Sequence, residues 1–244
     1  MKAQWEPKRG PSAVMHVNAD GFEATFYEPH ESRHPGKALI FVGGSDGSYY
    51  FVKAMADKFA SAGLASMALA YWNLPELPRA ISHVPLEFVE RATTRLNALG
   101  YQKVGVWGIS MGSLLALLSG VYLPGLVSCV IAVSPGDACT QGMSQGKTYP
   151  GSAFSFREKD IPWMPLDLHM GRVVCDSLRL GSMSVQSCYR HKDQAPAEAF
   201  IPVEKIQGPI LLQTPEDDSM WPSAKSCDAM MARLDAAGFA YPHE

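Results

Sequence analysis

An α/β architecture is what this sequence predicts: a mostly parallel sheet with helices on both faces. Three observations predict it. Mainly apolar runs recur at 38–42, 64–70, 103–108, 126–133 and 209–213, the pattern of strands covered on both sides. Segments with apolar residues at helical spacing separate most of them, so β and α units alternate. Several runs end in glycine-rich or proline-containing loops, and in such sheets ligands sit outside the carboxyl ends of the strands.

The 244 residues, 47% hydrophobic, suffice for one domain, 1–244, around a doubly covered sheet. A net charge of −3 with no basic stripe lacks the electrostatic footprint of a nucleic-acid binder. No run approaches the ~18 apolar residues of a membrane span, and Met1–Lys8 lacks a signal-peptide core, so a cytoplasmic protein with no membrane partner is expected. The five cysteines (129, 139, 175, 188, 227) are odd in number and form no C-x-x-C. Reduced thiols, with no metal site, follow.

Residues 13–29 hold two alternating runs split by Asn18-Ala-Asp-Gly21, read as an edge hairpin. The strand 38–42 ends in Gly43-Gly-Ser-Asp-Gly47, which lacks both the Lys-Ser/Thr of a P-loop and the G-x-G-x-x-G of a dinucleotide site, so no cofactor is called for. Phe51, Met55, Phe59 and Ala62 mark the inner face of a helix stopped by Gly63, and the strand 64–70 follows. After a proline-punctuated loop, Leu86, Val89, Thr93 and Leu96 line the next helix, with Glu87 and Arg91 as an exposed i,i+4 pair. Residues 138–200, rich in Gly, Ser, Pro and aromatics, break the rhythm and are a lid or insertion over the active face. The run 209–213 resumes the sheet and leads to a helix with Cys227, Met230, Met231 and Leu234 inward.

The chemistry centres on the third of these runs, which enters Gly108-Ile-Ser-Met-Gly112 and leaves into the apolar helix 113–122. Strand, G-x-S-x-G and helix make a nucleophile elbow, with Ser110 as nucleophile. Glycine at positions 108 and 112 leaves room for a serine held in a strained backbone. The helix start aims the Met111 N–H at a developing oxyanion, and Gly44 is the second donor. An acid is expected after a later strand, where Asp217 and Asp218 stand; the competing reading is a pair capping the next helix. A histidine should follow, yet only His243 of the seven lies beyond the acid, at the chain's end. A serine without a base is a weak nucleophile, and the expectation is a domain cut off before its base and before its last strand and helix, the alternative being one that recruits a histidine from the six that precede the acid.

The pieces 70–78, 85–90, 108–112, 201–212 and 216–223 together identify a resemblance to the C-terminal catalytic domain shared by acyl-CoA thioesterases and bile acid-CoA:amino acid N-acyltransferase. That family is itself similar to dienelactone hydrolases. The resemblance implies an α/β-hydrolase fold, with Ser110 as nucleophile and Asp218, second of the paired aspartates before Trp221, as acid. It implies a small-molecule acyl thioester or ester as partner. Serine in place of the acyltransferase branch's cysteine leans toward hydrolysis. The rivals are a carboxyl-ester or lactone hydrolase and a non-catalytic acyl-binding domain. A missing last strand would leave the edge at 209–213 unpaired, so self-association is expected as well.

Overall fold

The computed structural model describes residues 10–144 and 146–244; the segment Met1–Lys8, read above for its lack of a signal-peptide core, lies outside them. The chain opens with β1 (Ala13–Met15), the single turn α1 (Val17–Asp20) and β2 (Glu23–Tyr27). The edge hairpin is present, closed by a helical turn and Gly21 in the left-handed region at φ 78°. Then come β3 (Lys37–Val42), α2 (Tyr49–Ser61), β4 (Ala65–Ala70), the two-residue β5 (Val84–Pro85), α3 (Glu87–Ala98), β6 (Lys103–Ile109), α4 (Met111–Tyr122) and β7 (Val127–Val133).

The insertion holds the hairpin β8 (Gln141–Ser144) and β9 (Lys147–Ser152), the short β10 (Phe154–Phe156) and β11 (Lys159–Asp160), and α5 (Met170–Leu180). The last regular elements are β12 (Ile210–Gln213) and α6 (Ser223–Ala236). No helix among the described residues is long and apolar enough to cross a membrane.

The central sheet has the order β1-β2-β4-β3-β6-β7-β12. Its first two pairings are antiparallel and the other four parallel, so the ends of β3, β6, β7 and β12 open on one side of the molecule. Alternation along β3 divides the core. Ile40 and Val42 join Val89, Leu96, Leu114 and Leu117 of α3 and α4 on one face. Leu39 and Phe41 join Val52, Ala56 and Ala60 of α2 on the other.

Three expectations are corrected. Phe51 does not face the core: it is exposed, and α2 packs through Val52, Ala56 and Ala60, whose small side chains let the helix approach the sheet closely. Glu87 and Arg91 do not pair. Glu87 accepts from the backbone N–H of Arg157 at 2.7 Å, while Arg91 donates to the Gly21 carbonyl at 2.7 Å. The edge of β12 is not bare. Pro242–Glu244 run beside it, the N–H groups of Ile210 and Leu212 donating to the carbonyls of Pro242 (3.1 Å) and Glu244 (2.7 Å). Those bonds take up the donors on which the expected self-association rested.

Candidate active site

Ser110 stands between β6 and α4 at φ 54°, ψ −123°, a conformation that non-glycine residues avoid. Its neighbours hold it there. Its N–H donates to the Val133 carbonyl at 2.9 Å, and its own carbonyl accepts from the Ser113 N–H (2.9 Å) and hydroxyl. The two flanking glycines are required by space: a Cβ at Gly108 would lie 2.1 Å from the Gly112 oxygen, and one at Gly112 would lie 2.2 Å from the Gly43 oxygen. The β3 end and the elbow are therefore in backbone contact.

That contact brings Gly44 to the serine: a Cβ on Gly44 would sit 3.3 Å from the Ser110 Cβ. The N–H groups of Gly44 and Met111 have no acceptor among the described residues, the condition a pair of oxyanion donors requires. The loop is oriented from behind by two residues that the sequence reading missed. The buried Tyr71 hydroxyl donates to the Gly43 carbonyl at 2.9 Å, and the Trp72 indole N–H donates to the Gly44 carbonyl at 3.3 Å. Burial pushes the Tyr71 hydroxyl pKa far up, so it stays a donor. The visible signal was an aromatic pair ending the strand that pairs with β3.

Asp218 reaches the same end of the sheet, two strands away. Its Oδ1 accepts from the N–H groups of Met220 (2.9 Å) and Trp221 (3.4 Å), and its Oδ2 accepts from the Ser223 hydroxyl at the start of α6. These N–H groups precede α6, which has no side-chain cap, so the carboxylate orders the loop before the helix and does not cap it, and it stands after a parallel strand, where an acid is expected. Asp217 is exposed.

A cavity of about 310 Å³ opens at Ser110. Trp72, Ile81, Met111 and Trp221 of the sheet body line it, and Met143, Leu166, Val173 and Tyr189 of the insertion close over it. Ser45 and Asp46, beside Gly44, stand in its wall too, and neither was singled out from sequence. Among the described residues no histidine lines it. His243 is at the wrong end: it pairs with Ile210, the first residue of β12, and its ring meets the Tyr241 carbonyl (2.9 Å) and Asp235 (3.1 Å). His83 is occupied between Asp160 (2.6 Å) and the Pro150 carbonyl (3.1 Å). Among the described residues no cluster of His, Cys, Asp and Glu is arranged to hold a metal, and the five cysteines are free.

Strand order and a strained serine turn are those of an α/β hydrolase. An α/β hydrolase from a Medee basin deep-sea metagenome library shares the fold with a TM-score of 0.54 and 14% identity, over 95% of this chain and 79% of that one. The family described as BAAT / Acyl-CoA thioester hydrolase C terminal matches residues 84–243, and the chain belongs to it. Acyl-coenzyme A thioesterase 2, mitochondrial, of Mus musculus is 28% identical over 217 residues, 87% of this chain and 43% of that protein. Acyl-coenzyme A amino acid N-acyltransferase 2 of Rattus norvegicus is 27% identical over 220 residues, 88% and 48% respectively. The chain spans about half the length of these curated relatives.

Proposed function

We propose that this domain is a serine hydrolase of acyl thioesters, acyl-CoA among them. Ser110 attacks the thioester carbonyl, the thiolate leaves, and water releases the acid from the acyl-serine. The Gly44 and Met111 N–H groups hold the oxyanion, Asp218 is the acid that orients the base, and residues 138–200 are the lid. One observation carries the reading: a serine at φ 54° on a strand-to-helix turn opens into a largely apolar cavity of about 310 Å³. The family relationship supports the thioester.

The base in this proposal is a histidine on a continuation of the strand that Pro242–Glu244 begin beside β12. Reading the coding sequence past codon 244 tests that placement. Without a base, turnover falls by about 10⁴-fold. The direct test is slow labelling by a fluorophosphonate, which needs the same activated hydroxyl, and slow hydrolysis of decanoyl-CoA, both lost in Ser110→Ala. Stabilisation by decanoyl-CoA with no labelling of Ser110 would instead mark an acyl-binding domain.

A second reading, hydrolysis of carboxyl esters or lactones, is favoured by Asp46. Among the described residues it is the charged group in the cavity wall, with no lysine or arginine beside it. A carboxylate in the wall beside Gly44 repels a polyanionic leaving group such as CoA and is indifferent to a neutral alcohol. Comparing decanoyl-CoA with p-nitrophenyl decanoate separates the two readings.

A further inference from the structure

The insertion carries an apolar surface that faces outward. Met170, Val174 and Leu178 recur every four residues along α5 and are 50%, 51% and 78% exposed. Leu180 at the helix end and Met183 just past it extend the stripe, and Met220 meets it from the loop before α6; all three are exposed. On the side of α5 turned to the cavity, Val173 is buried and anchors the helix. So many large apolar side chains together are unusual for a surface in water. Met170, Met183 and Met220 also line the cavity at Ser110, so the outer stripe and the cavity form one continuous apolar surface.

We propose that this face seats the protein on a lipid surface, with α5 lying in the plane of the interface. An amphipathic helix with one apolar face inserts among the head groups, where its buried area supplies the affinity. Continuity with the cavity selects this occupant: an acyl chain leaving the lipid passes along Met170 and Met183 toward Ser110 without crossing water, whereas a second protein copy would block the mouth. Arg179, exposed beside Leu178, suits the phosphates of a head-group layer. The lack of a spanning helix does not bear on such a seat. The choice of a lipid as occupant rests on the acyl-substrate reading above, whereas the seat itself does not require that Ser110 be catalytic.

Flotation with vesicles of phosphatidylcholine and phosphatidylserine tests it. The wild-type chain is expected to rise with the vesicles, and Val174→Glu/Leu178→Glu to lose at least tenfold in partitioning, since each change sets a charge where an apolar side chain inserts. Both positions are exposed, and neither lines the cavity. Fluorophosphonate labelling of Ser110 should therefore be equal in the two proteins. Equal flotation of the variant, or no flotation of the wild type, overturns the proposal. So does a wild-type dimer by analytical ultracentrifugation that the double variant dissolves without any vesicle binding. Flotation with an unlabelled Ser110 would defeat the hydrolase reading and leave the docking intact.

Discussion

Replacing Gly112 with alanine sets a methyl carbon 2.2 Å from the Gly43 carbonyl oxygen and 2.7 Å from that of Val42. Both partners are backbone atoms of the β3 end, in the middle of the sheet, so no rotamer change can relieve the clash. Overpacking in a core costs about 1–3 kcal/mol where side chains can adjust. Here the strand end or α4 must move, which puts the change at about 3 kcal/mol or more. For a chain of this size each kcal/mol shifts the midpoint by about 2–4 °C, so the expected fall is roughly 6–12 °C. The same shift separates Gly44 from Ser110, and fluorophosphonate labelling should slow at least tenfold. Gly100→Ala is the control. Gly100 has φ +97° but no atom within 4 Å of its would-be Cβ, so only the left-handed backbone penalty of about 1–2 kcal/mol applies. Differential scanning calorimetry of the two variants decides: a Gly112→Ala protein that melts with or above Gly100→Ala and labels at the wild-type rate would refute the packing account of the elbow.

Three further outcomes are expected. Asp57 on α2 is buried, its Oδ2 lacks a partner among the described residues, and burial pushes its pKa up. A raised folded pKa gives stability that is complete below the unfolded value near 3.9 and is lost as pH rises through the folded one. Asp57→Asn should therefore melt higher than wild type at pH 8, by about 1–3 kcal/mol, and match it near pH 3.5. A variant less stable at both pH values would sink that reading. Lys192 Nζ lies 2.5 Å from the buried Asp137, so Lys192→Met strands a carboxylate and should cost about 3 kcal/mol in urea titrations; an unchanged midpoint would show the pair to be idle. The Tyr241 carbonyl and then Asp235 raise the His243 pKa, and NMR titration should place it above 6.5. The stability it adds is full below 6.5 and fades as pH rises through the folded value, and His243→Ala should leave Ser110 labelling unchanged.

The strands and the elbow were legible because both are local patterns: a run of apolar residues and a pentapeptide with glycine at fixed offsets. Where the reading failed, the deciding partner was distant in sequence. Glu87 lies one helical turn from Arg91, yet the competing donor Arg157 is 70 residues away. Phe51 belongs to a plausible apolar face, but α2 turns its alanines inward to approach β3 and β4 closely. The helix α5 went unrecognised although Met170, Val173, Val174 and Leu178 recur at helical spacing, because it is short and lies inside a stretch whose Gly, Ser and Pro content reads as loop. At the site, Ser110 as candidate nucleophile and Gly44 and Met111 as its proposed oxyanion donors follow from spacing. The clamps Tyr71 and Trp72 do not, since only the pairing of β4 with β3 brings them to Gly43 and Gly44.

The two parts of the insertion are attached by different means. Its hairpin side is sewn to the body through backbone bridges, Ile81 to Met143 and β5 to β10, with Ala138 to Phe200 and Thr140 to Met164 closing it on itself. Its helical side has a single backbone tie to the loop before α6, from the Val185 N–H to the Met220 carbonyl at 2.7 Å, and otherwise hangs on side chains: Val173 pressed inward and Asp167 holding Arg172 at 2.6 Å and Arg190 at 2.6 Å. A hard floor beneath a soft ceiling lets sequence drift retailor the ceiling, changing how long a guest fits, while the floor and the hydroxyl set in it stay where they are.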